Sequence, residues 1–232
     1  MNTPNIAFIP VRKGSKSIPG KNIKDFYGKP LLFWVLDTLT GMDLFEQVWV
    51  ATDCPVTEKL VKGRYTDVRV FRRSSKNATC QSPTIDVVLE FLQSRRFRDD
   101  TIFLLAQATS PFTTACEFRE AVRLINEDGY DSALSCVRMK KFLWSETGSP
   151  LNYNLSKKER RQDFKGFLAE SGSFYVSKIN RIEETGQLLS GKTGIVEVAP
   201  ANSVELDEPS DWVMGEALMG YLIKQQADAC EL

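Results

Sequence analysis

Short apolar runs alternate with amphipathic stretches through the first half of the chain. Asn5 to Val11 (NIAFIPV), Val48 to Thr52 (VWVAT) and Ile102 to Ala106 (IFLLA) are nearly unbroken apolar runs that end in polar loops. Runs this short and this uniformly apolar predict strands buried on both faces. Val68 to Phe71 predicts a further strand, while Leu31 to Leu39, Val56 to Lys62, Thr84 to Leu92 and Cys116 to Asn126 read as helices between the strands. Alternation of strand and helix predicts parallel strands joined by right-handed crossovers, here a three-layer α/β/α sandwich with a mostly parallel sheet. Ligands of such sheets bind outside the carboxyl ends of the strands. The informative loops are therefore those after Val11, Thr52, Ala106 and a later strand near Val198.

The alternation fails from Val137 to Phe167, a polar and basic stretch with interleaved aromatics and neither a helical nor a strand period. Strand-like segments return at Ser173 to Ser177 and Gly194 to Ala199, and an amphipathic helix is expected from near Pro209 to about Gln225. At 232 residues the chain is long for one domain and short for two. The expectation is a single domain over 1–232 with an arm at 138–171 inserted in it. No internal repeat is visible.

Composition narrows the chemistry. Thirty basic and thirty acidic side chains cancel, so the chain lacks the basic excess that draws a protein to nucleic acid or to an anionic membrane. An anionic ligand must be caught locally. The longest apolar stretch, Leu31 to Leu36, is far short of the ~20 residues that span a bilayer, and no charged leader precedes an apolar run at the amino terminus. This predicts a soluble, cytoplasmic protein without a membrane partner. The five cysteines are scattered, with no C-x-x-C pair, and read as reduced thiols. Histidine is absent, which excludes Ser-His-Asp and Cys-His mechanisms and leaves carboxylates, lysine, arginine or a metal ion to do chemistry.

The loop after the first strand, PVRKGSKSIPGKN from Pro10 to Asn22, sets Arg12, Lys13, Lys16 and Lys21 among small residues. Small residues let backbone N–H groups approach an oxyanion and the cations neutralise its charge, so the composition suits a triphosphate. It is not a P-loop: five residues separate Gly14 from Gly20 where that motif has four, and Asn22 stands where Ser or Thr should follow Lys21. The bland alternative is a solvated basic loop whose glycines and proline only make turns.

This segment resembles the opening signature of the acylneuraminate cytidylyltransferases, or CMP-sialic acid synthetases, approximately P-A-R-x-G-S-K-G-[IL]-P-x-K-N. The resemblance implies a Rossmann-like nucleotidyltransferase fold in which the loop wraps the nucleotide, with Arg12, Lys21, Asn22 and Ser15 as the matching contacts. It continues in order along nearly the whole chain. Ala51-Thr52-Asp53 is similar to the family's S-T-D. Arg72-Arg73-Ser74 and the stretch Ser82 to Val87 resemble its cytidine side, implying Arg72 or Arg73, Ser82 and Thr84 as nucleotide contacts; Ser82 or Thr84 could equally cap the helix that follows.

Gln107-Ala108-Thr109-Ser110-Pro111 resembles Q-P-T-S-P, whose glutamine meets the sugar acid; Ala108 replaces the proline and leaves that turn freer. Arg160-Arg161-Gln162 resembles R-Q, implying Arg161 and Gln162 on the acceptor's carboxylate or the phosphate, a task suited to arginine's planar fork. In the family this region is a protruding dimerisation arm that helps complete a second subunit's site. Glu170-Ser171-Gly172 with Tyr175 resembles E-N-G-x-x-Y, with Ser171 in place of asparagine, and Tyr175 is a further sugar contact.

Finally, Val204 to Asp211 (VELDEPSD) resembles I-D-I-D-T-x-x-D, which implies Asp207 as principal ligand of Mg²⁺, or of Mn²⁺ in its place, with Glu205 and Asp211 beside it. Independently, a triphosphate calls for a divalent ion held by one or two carboxylates, and an extended Glu205-Leu206-Asp207 would place both acids on one face. The same acids could instead cap the helix beginning at Pro209.

The implied reaction transfers CMP from CTP to the anomeric hydroxyl of a nine-carbon 2-keto-3-deoxy sugar acid, releasing pyrophosphate. Arg12, Lys21 and Asp207 are the expected catalytic residues. Such transfers run on positioning and charge neutralisation, which suits a chain without histidine. The partners implied are CTP and a nonulosonic acid such as N-acetylneuraminate or its deaminated counterpart Kdn, within a homodimer. Alternatives are a CMP-Kdo synthetase-like enzyme, disfavoured because Gln107 to Pro111 lacks the acid of Q-G-D-E-P, and a non-catalytic nucleotide-sugar-binding homologue.

Overall fold

The computed structural model describes residues 4–230, with side chains through residue 225. In chain order its elements are β1 (Asn5–Val11), a two-residue pair β2 (Asp25–Phe26) and β3 (Lys29–Pro30), α1 (Leu31–Thr40), β4 (Gln47–Thr52), α2 (Pro55–Arg64), β5 (Val68–Arg72), α3 (Thr84–Gln93), β6 (Ile102–Ala106), α4 (Ala115–Asn126), β7 (Ser132–Met139), β8 (Phe167–Lys178), α5 (Ile179–Thr185), β9 (Thr193–Val198) and α6 (Pro209–Cys230). Seven strands form one sheet in the order β5-β4-β1-β6-β8-β7-β9. The fold is α/β, and its first-half elements are those predicted from periodicity.

Strand β1 shows why the sheet has three layers around it. Ala7, Ile9 and Val11 face a core completed by Leu32, Leu36 and Leu39 of α1, Val61 of α2 and Phe118 of α4, while Ile6 and Phe8 face α3 and α5. Alternate side chains point to opposite faces, so a strand covered on both must be apolar throughout. On the second face Phe8 lies 4.9 Å from Phe91 and 5.3 Å from Phe103, ring centre to ring centre. Thr114 and Glu117 close a reciprocal capping box at the start of α4, satisfying backbone donors that its helix leaves over.

The parallel order breaks at one place. β1 pairs in parallel with β4 and β6, and β4 with β5, but β8 runs antiparallel to both β6 and β7. The stretch between Val137 and Phe167 is therefore the elaborated connection of an antiparallel pair, and the sheet extends into it: β7 runs to Met139 and β8 begins at Phe167. The irregular segment is 140–166, narrower than 138–171. The strand period was hidden because β8 starts at the sheet margin, where Phe167 to Glu170 are exposed or half-buried, and because the ladder slips between Leu134 and Cys136.

Segment 140–166 holds itself together with its own aromatics: Phe142 stacks on Tyr153 at 4.7 Å and on Phe164 at 4.8 Å, with the Lys158 ammonium 4.7 Å over the Phe142 ring. No helix among the described residues is long and apolar enough to cross a membrane.

Candidate active site

Five loops meet at the carboxyl edge of the parallel strands, and a small apolar cluster decides how. Ile18 of the opening loop, Phe112 beyond β6, Leu206 before α6 and Trp212 and Met219 of α6 pack around Phe26 and Leu31. Ile18 is only 3% exposed and Leu206 is fully buried. The basic loop is thus no solvated excursion: an apolar residue in its middle anchors it to the segment that carries the acids. Gly20, at φ 65°, makes the tight turn into a single turn of 3-10 helix over Lys21–Ile23, a conformation that glycine adopts without strain.

That anchoring brings opposite charges together across 186 residues of sequence. Lys21 Nζ donates to Asp207 Oδ1 at 2.7 Å and to the Leu206 carbonyl at 2.8 Å, with the lysine side chain largely covered and the aspartate open to solvent. Ser17 Oγ donates to Glu208 at 3.1 Å, and Asn22 Nδ2 lies 3.5 Å from the Arg12 carbonyl. At the other end of the loop the Lys13 N–H donates to Asp53 Oδ1 at 2.7 Å. Asp53, just past β4 in the Ala51-Thr52-Asp53 step, positions this loop, a role that the S-T-D resemblance left unassigned. Its position after a buried strand was the available signal. Ser15 is half-buried on the same loop.

The two neighbouring arginines differ in burial. Arg72, still in β5, points outward, its side chain 79% exposed and paired with Glu58 at 2.8 Å. Arg73 is 8% exposed, donates to the Asn77 carbonyl, and has no hydrogen-bond partner for its Nε. Burial pushes the Arg73 guanidinium below its ordinary value, against the attraction of Asp53 and Glu90. A desolvated cation of this kind is satisfied best by an anionic or carbonyl ligand. Arg73 lines a cavity of about 650 Å³ together with Lys13, Thr52, Asp53, Cys54 and Thr79. A larger groove of about 960 Å³ lies at the amino ends of the strands, around Asn5, Asp43 and Arg123, away from these loops.

Neither Ser82 nor Thr84 caps α3. Ser82 Oγ sits 2.6 Å from Thr79 Oγ1 and donates to the Lys76 carbonyl, closing its own loop, and α3 begins after Pro83 with no side-chain cap. The hydroxyl-rich turn shapes one wall of the cavity through Thr79.

Beyond β6, the Gln107 N–H donates to the Ser173 carbonyl at 2.9 Å, the Ser110 N–H to the Gln107 carbonyl, and the Thr109 carbonyl accepts from Leu206 N–H. The turn is held at three points, so Ala108 in place of proline does not loosen it. The antiparallel β8 enters this edge at its beginning, carrying Glu170, Gly172 and Tyr175; Tyr175 Oη donates to Glu170 Oε1. Arg161 and Gln162 stand exposed on segment 140–166, where Arg160 pairs with Asp163 at 2.7 Å and the Gln162 carbonyl accepts from Lys140. No hydrogen bond or ion pair among the described residues joins their side chains to Gln107 or Tyr175.

The three acids divide by role. With Leu206 buried, Glu205 and Asp207 flank it, as an extended chain requires. Asp211 Oδ2 accepts the N–H groups of Asp207 at 3.1 Å and Glu208 at 2.8 Å, so it caps the turn into α6. Burial first, then repulsion from Asp207 and Glu170 against the pull of Lys21, pushes the Glu205 carboxyl up to about 7. Like charges gathered this way are relieved by a divalent cation, and two carboxylates meet magnesium's habit of taking one or two alongside phosphate oxygens and water. The donor pair fits such an ion; Asp211 is occupied as a cap. No cluster of three or more acidic or thiol ligands among the described residues forms a closed metal cage.

The sequence profile of the cytidylyltransferase family matches residues 6–197. N-acylneuraminate cytidylyltransferase A of Danio rerio is 37% identical over 97% of the chain and 54% of its own length. The CMP-N,N'-diacetyllegionaminic acid synthase of Legionella pneumophila is 29% identical over 92% of the chain and 95% of its length. The chain thus spans about half the length of the fish relative. Among solved structures, a CMP:2-keto-3-deoxy-manno-octonic acid synthetase complexed with CTP superposes with a TM-score of 0.70 at 19% identity, covering 94% of the chain and 99% of that protein. A 4-diphosphocytidyl-2C-methyl-D-erythritol synthase superposes at 0.68 with 13% identity, covering 94% of the chain and 100% of that protein.

Proposed function

Because the chain belongs to the cytidylyltransferase family, we propose that it transfers CMP from CTP to the anomeric hydroxyl of a nine-carbon 2-keto-3-deoxy sugar acid and releases pyrophosphate. The observation that carries this reading is the tie between the basic loop and the acids, Lys21 to Leu206 and Asp207, beside a cavity lined by the buried Arg73, whose Nε has no hydrogen-bond partner. Cations for a triphosphate, acids for its counter-ion and a pocket for its nucleoside then share one edge of the sheet. The nine-carbon acceptor rests on the likeness to the fish and Legionella enzymes, whose names specify such acids.

Arg12 and Lys21 would hold the phosphates, Lys21 exchanging its Asp207 partner for a phosphate oxygen. Arg73 would meet the cytidine side. Glu205 and Asp207 would hold Mg²⁺, which when bound polarises the α-phosphate and lowers the pKa of the attacking hydroxyl. Gln107 and Tyr175 would orient the acceptor. Arg161 and Gln162, whose side chains make no bond to those groups among the described residues, would serve the site of a second subunit in a homodimer. Exposed Leu143, Trp144, Leu151 and Leu155 on segment 140–166 support that use of it. A cytoplasmic location accords with the free thiols of Cys54, Cys80, Cys116 and Cys136.

The test is a panel of acceptors, N-acetylneuraminate, Kdn, legionaminate, pseudaminate and the eight-carbon Kdo, each given CTP and Mg²⁺ and followed by pyrophosphate release. Turnover with one or more nine-carbon acids is expected. Preference for Kdo would move the chain to the octonic acid branch, and a flat response across the panel would refute transfer.

A further inference from the structure

Glu205 and Asp207 stand on the connection between the end of β9 at Val198 and the start of α6 at Pro209. Val204 and Leu206 pack on the Phe26 cluster and so decide which face the acids take. Two hydrogen bonds, one on either side of Glu205, decide where along the edge it stands. Downstream, the Leu206 N–H donates to the Thr109 carbonyl at 3.0 Å. Upstream, Asn202 Nδ2 donates to Glu117 Oε1 at 2.7 Å, across 85 residues of sequence. Only Ser203, Val204 and Glu205 lie between the two anchors.

Both partners of the upstream bond are themselves held. Glu117 Oε2 accepts the Thr114 N–H at 2.8 Å, and the Glu117 N–H donates to Thr114 Oγ1 at 3.4 Å. The capping box of α4 uses one carboxylate oxygen, and the other is turned to Asn202. The N–H groups of Asn202 and Ser203 both donate to the Ala199 carbonyl, which closes a turn after β9. On the side of α4 the chain back to Gln107 is also bonded, Thr113 N–H to the Ser110 carbonyl and Ser110 N–H to the Gln107 carbonyl. A bond to a carboxylate, partly shielded from water as this one is, belongs to the stronger kind.

We propose that Asn202 and Glu117 are positioning residues for the acid site, their bond fixing Glu205 and Asp207 relative to the turn that carries Gln107. Neither is a catalytic residue. The effect on the reaction rests on the reading of Glu205 and Asp207 as the cation's carboxylates, whereas the holding of the backbone at 203–207 does not.

The experiment exchanges donor and acceptor. Asn202→Asp sets a second carboxylate against Glu117 and turns attraction into repulsion. Adding Glu117→Gln restores the bond in reverse, the new amide donating to the new carboxylate while its oxygen still accepts the Thr114 N–H. The full chain is read in two ways: amide hydrogen exchange by mass without nucleotide or metal, and pyrophosphate release with Mg²⁺ and CTP varied separately. In Asn202→Asp, exchange of the peptide covering 203–207 should quicken by roughly tenfold or more while peptides from β1 and β4 stay as in the parent. The Mg²⁺ concentration for half-maximal rate should rise by about 10- to 100-fold, with KM for CTP at saturating Mg²⁺ within about threefold. The double variant should bring both readouts back to within about threefold of the parent. Unchanged exchange at 203–207, or quickening spread equally over β1 and β4, would overturn the tether. Local quickening with the Mg²⁺ dependence unmoved would overturn the positioning, and a double variant no better than Asn202→Asp would overturn the pair. Should Asn202→Asp not fold, Asn202→Ala, which removes the bond without adding a charge, is read the same way. Because exchange needs no turnover, a chain inactive with CTP would remove the functional reading and leave the tether to be judged by itself.

Discussion

Gly172 gives the sharpest test of the acid site, because one added methyl group separates strain from function there. Its φ is 71°, in the left-handed region, and a Cβ built on it would lie 2.4 Å from Glu205 Oε1 and 3.0 Å from Glu205 Cδ. For Gly172→Ala the backbone term costs about 1–2 kcal/mol. The steric term is cheap in energy, since the obstructing atoms end a flexible side chain that can swing away. The protein should therefore stay folded, with Tm lowered by about 2–8 °C at the roughly 2–4 °C per kcal/mol expected for this size.

The swing is what matters for chemistry. A displaced Glu205 carboxylate no longer sits beside Asp207, and losses on the order of 10- to 100-fold accompany such displaced metal support. The Mg²⁺ concentration for half-maximal pyrophosphate release should rise, and higher Mg²⁺ should recover part of the rate. In a Glu205→Ala background the methyl has nothing to displace, so Gly172→Ala should add the same Tm loss and no further loss of rate. Equal losses of activity in both backgrounds, or unchanged Mg²⁺ dependence in the single variant, would refute the placement of Glu205 in the site.

Three further outcomes follow from the same geometry. Arg73→Met should raise KM for CTP by roughly 10- to 100-fold, the worth of a buried charged hydrogen bond, whereas Arg72→Met, which loses only an exposed pair with Glu58, should stay within about twofold; steady-state kinetics with CTP varied decides it. Asp211→Ala should lower stability by about 1 kcal/mol through loss of the cap on Asp207 and Glu208, read as a Tm shift, with Asp211→Asn recovering most of it. Asp37 is half-buried, and although burial raises its carboxyl, the bonds from Lys29 and Tyr65 and the charge of Arg64 bring it below its ordinary value. Its contribution is present above the ordinary carboxylate pKa and lost as pH falls through the lowered one, so Asp37→Asn should be less stable than the parent at neutral pH, with the gap closing as the pH falls below the ordinary carboxylate range in urea unfolding.

Much of this was legible before any coordinates. Hydrophobic period is a local property, and the runs at β1, β4 and β6 with the helices between them state the parallel half of the sheet directly. The opening loop showed a phosphate-seeking composition, and alternation about Leu206 put Glu205 and Asp207 on one side. Of β8 only Ser173 to Ser177 was legible; its first residues, Phe167 to Glu170, are exposed or half-buried and pair with β7 across a slip in register, so they carry no clean period, and its antiparallel direction is not a local property.

Side-chain direction and pairing across long separations belonged to the tertiary structure. Neighbouring Arg72 and Arg73 are chemically equal in a sequence; the pleat at the end of β5 sends one outward to pair with Glu58 and buries the other. Of three acids in eight residues, only packing of Leu206 and the start of α6 could assign Asp211 to backbone donors and set Asp207 against Lys21. Ile18 reads as an incidental apolar residue in a basic loop until Phe26, Leu206 and Trp212 close around it. Composition states which charges the chain has, because each residue carries its own, but which of them lose water and which keep it depends on what the fold packs against them.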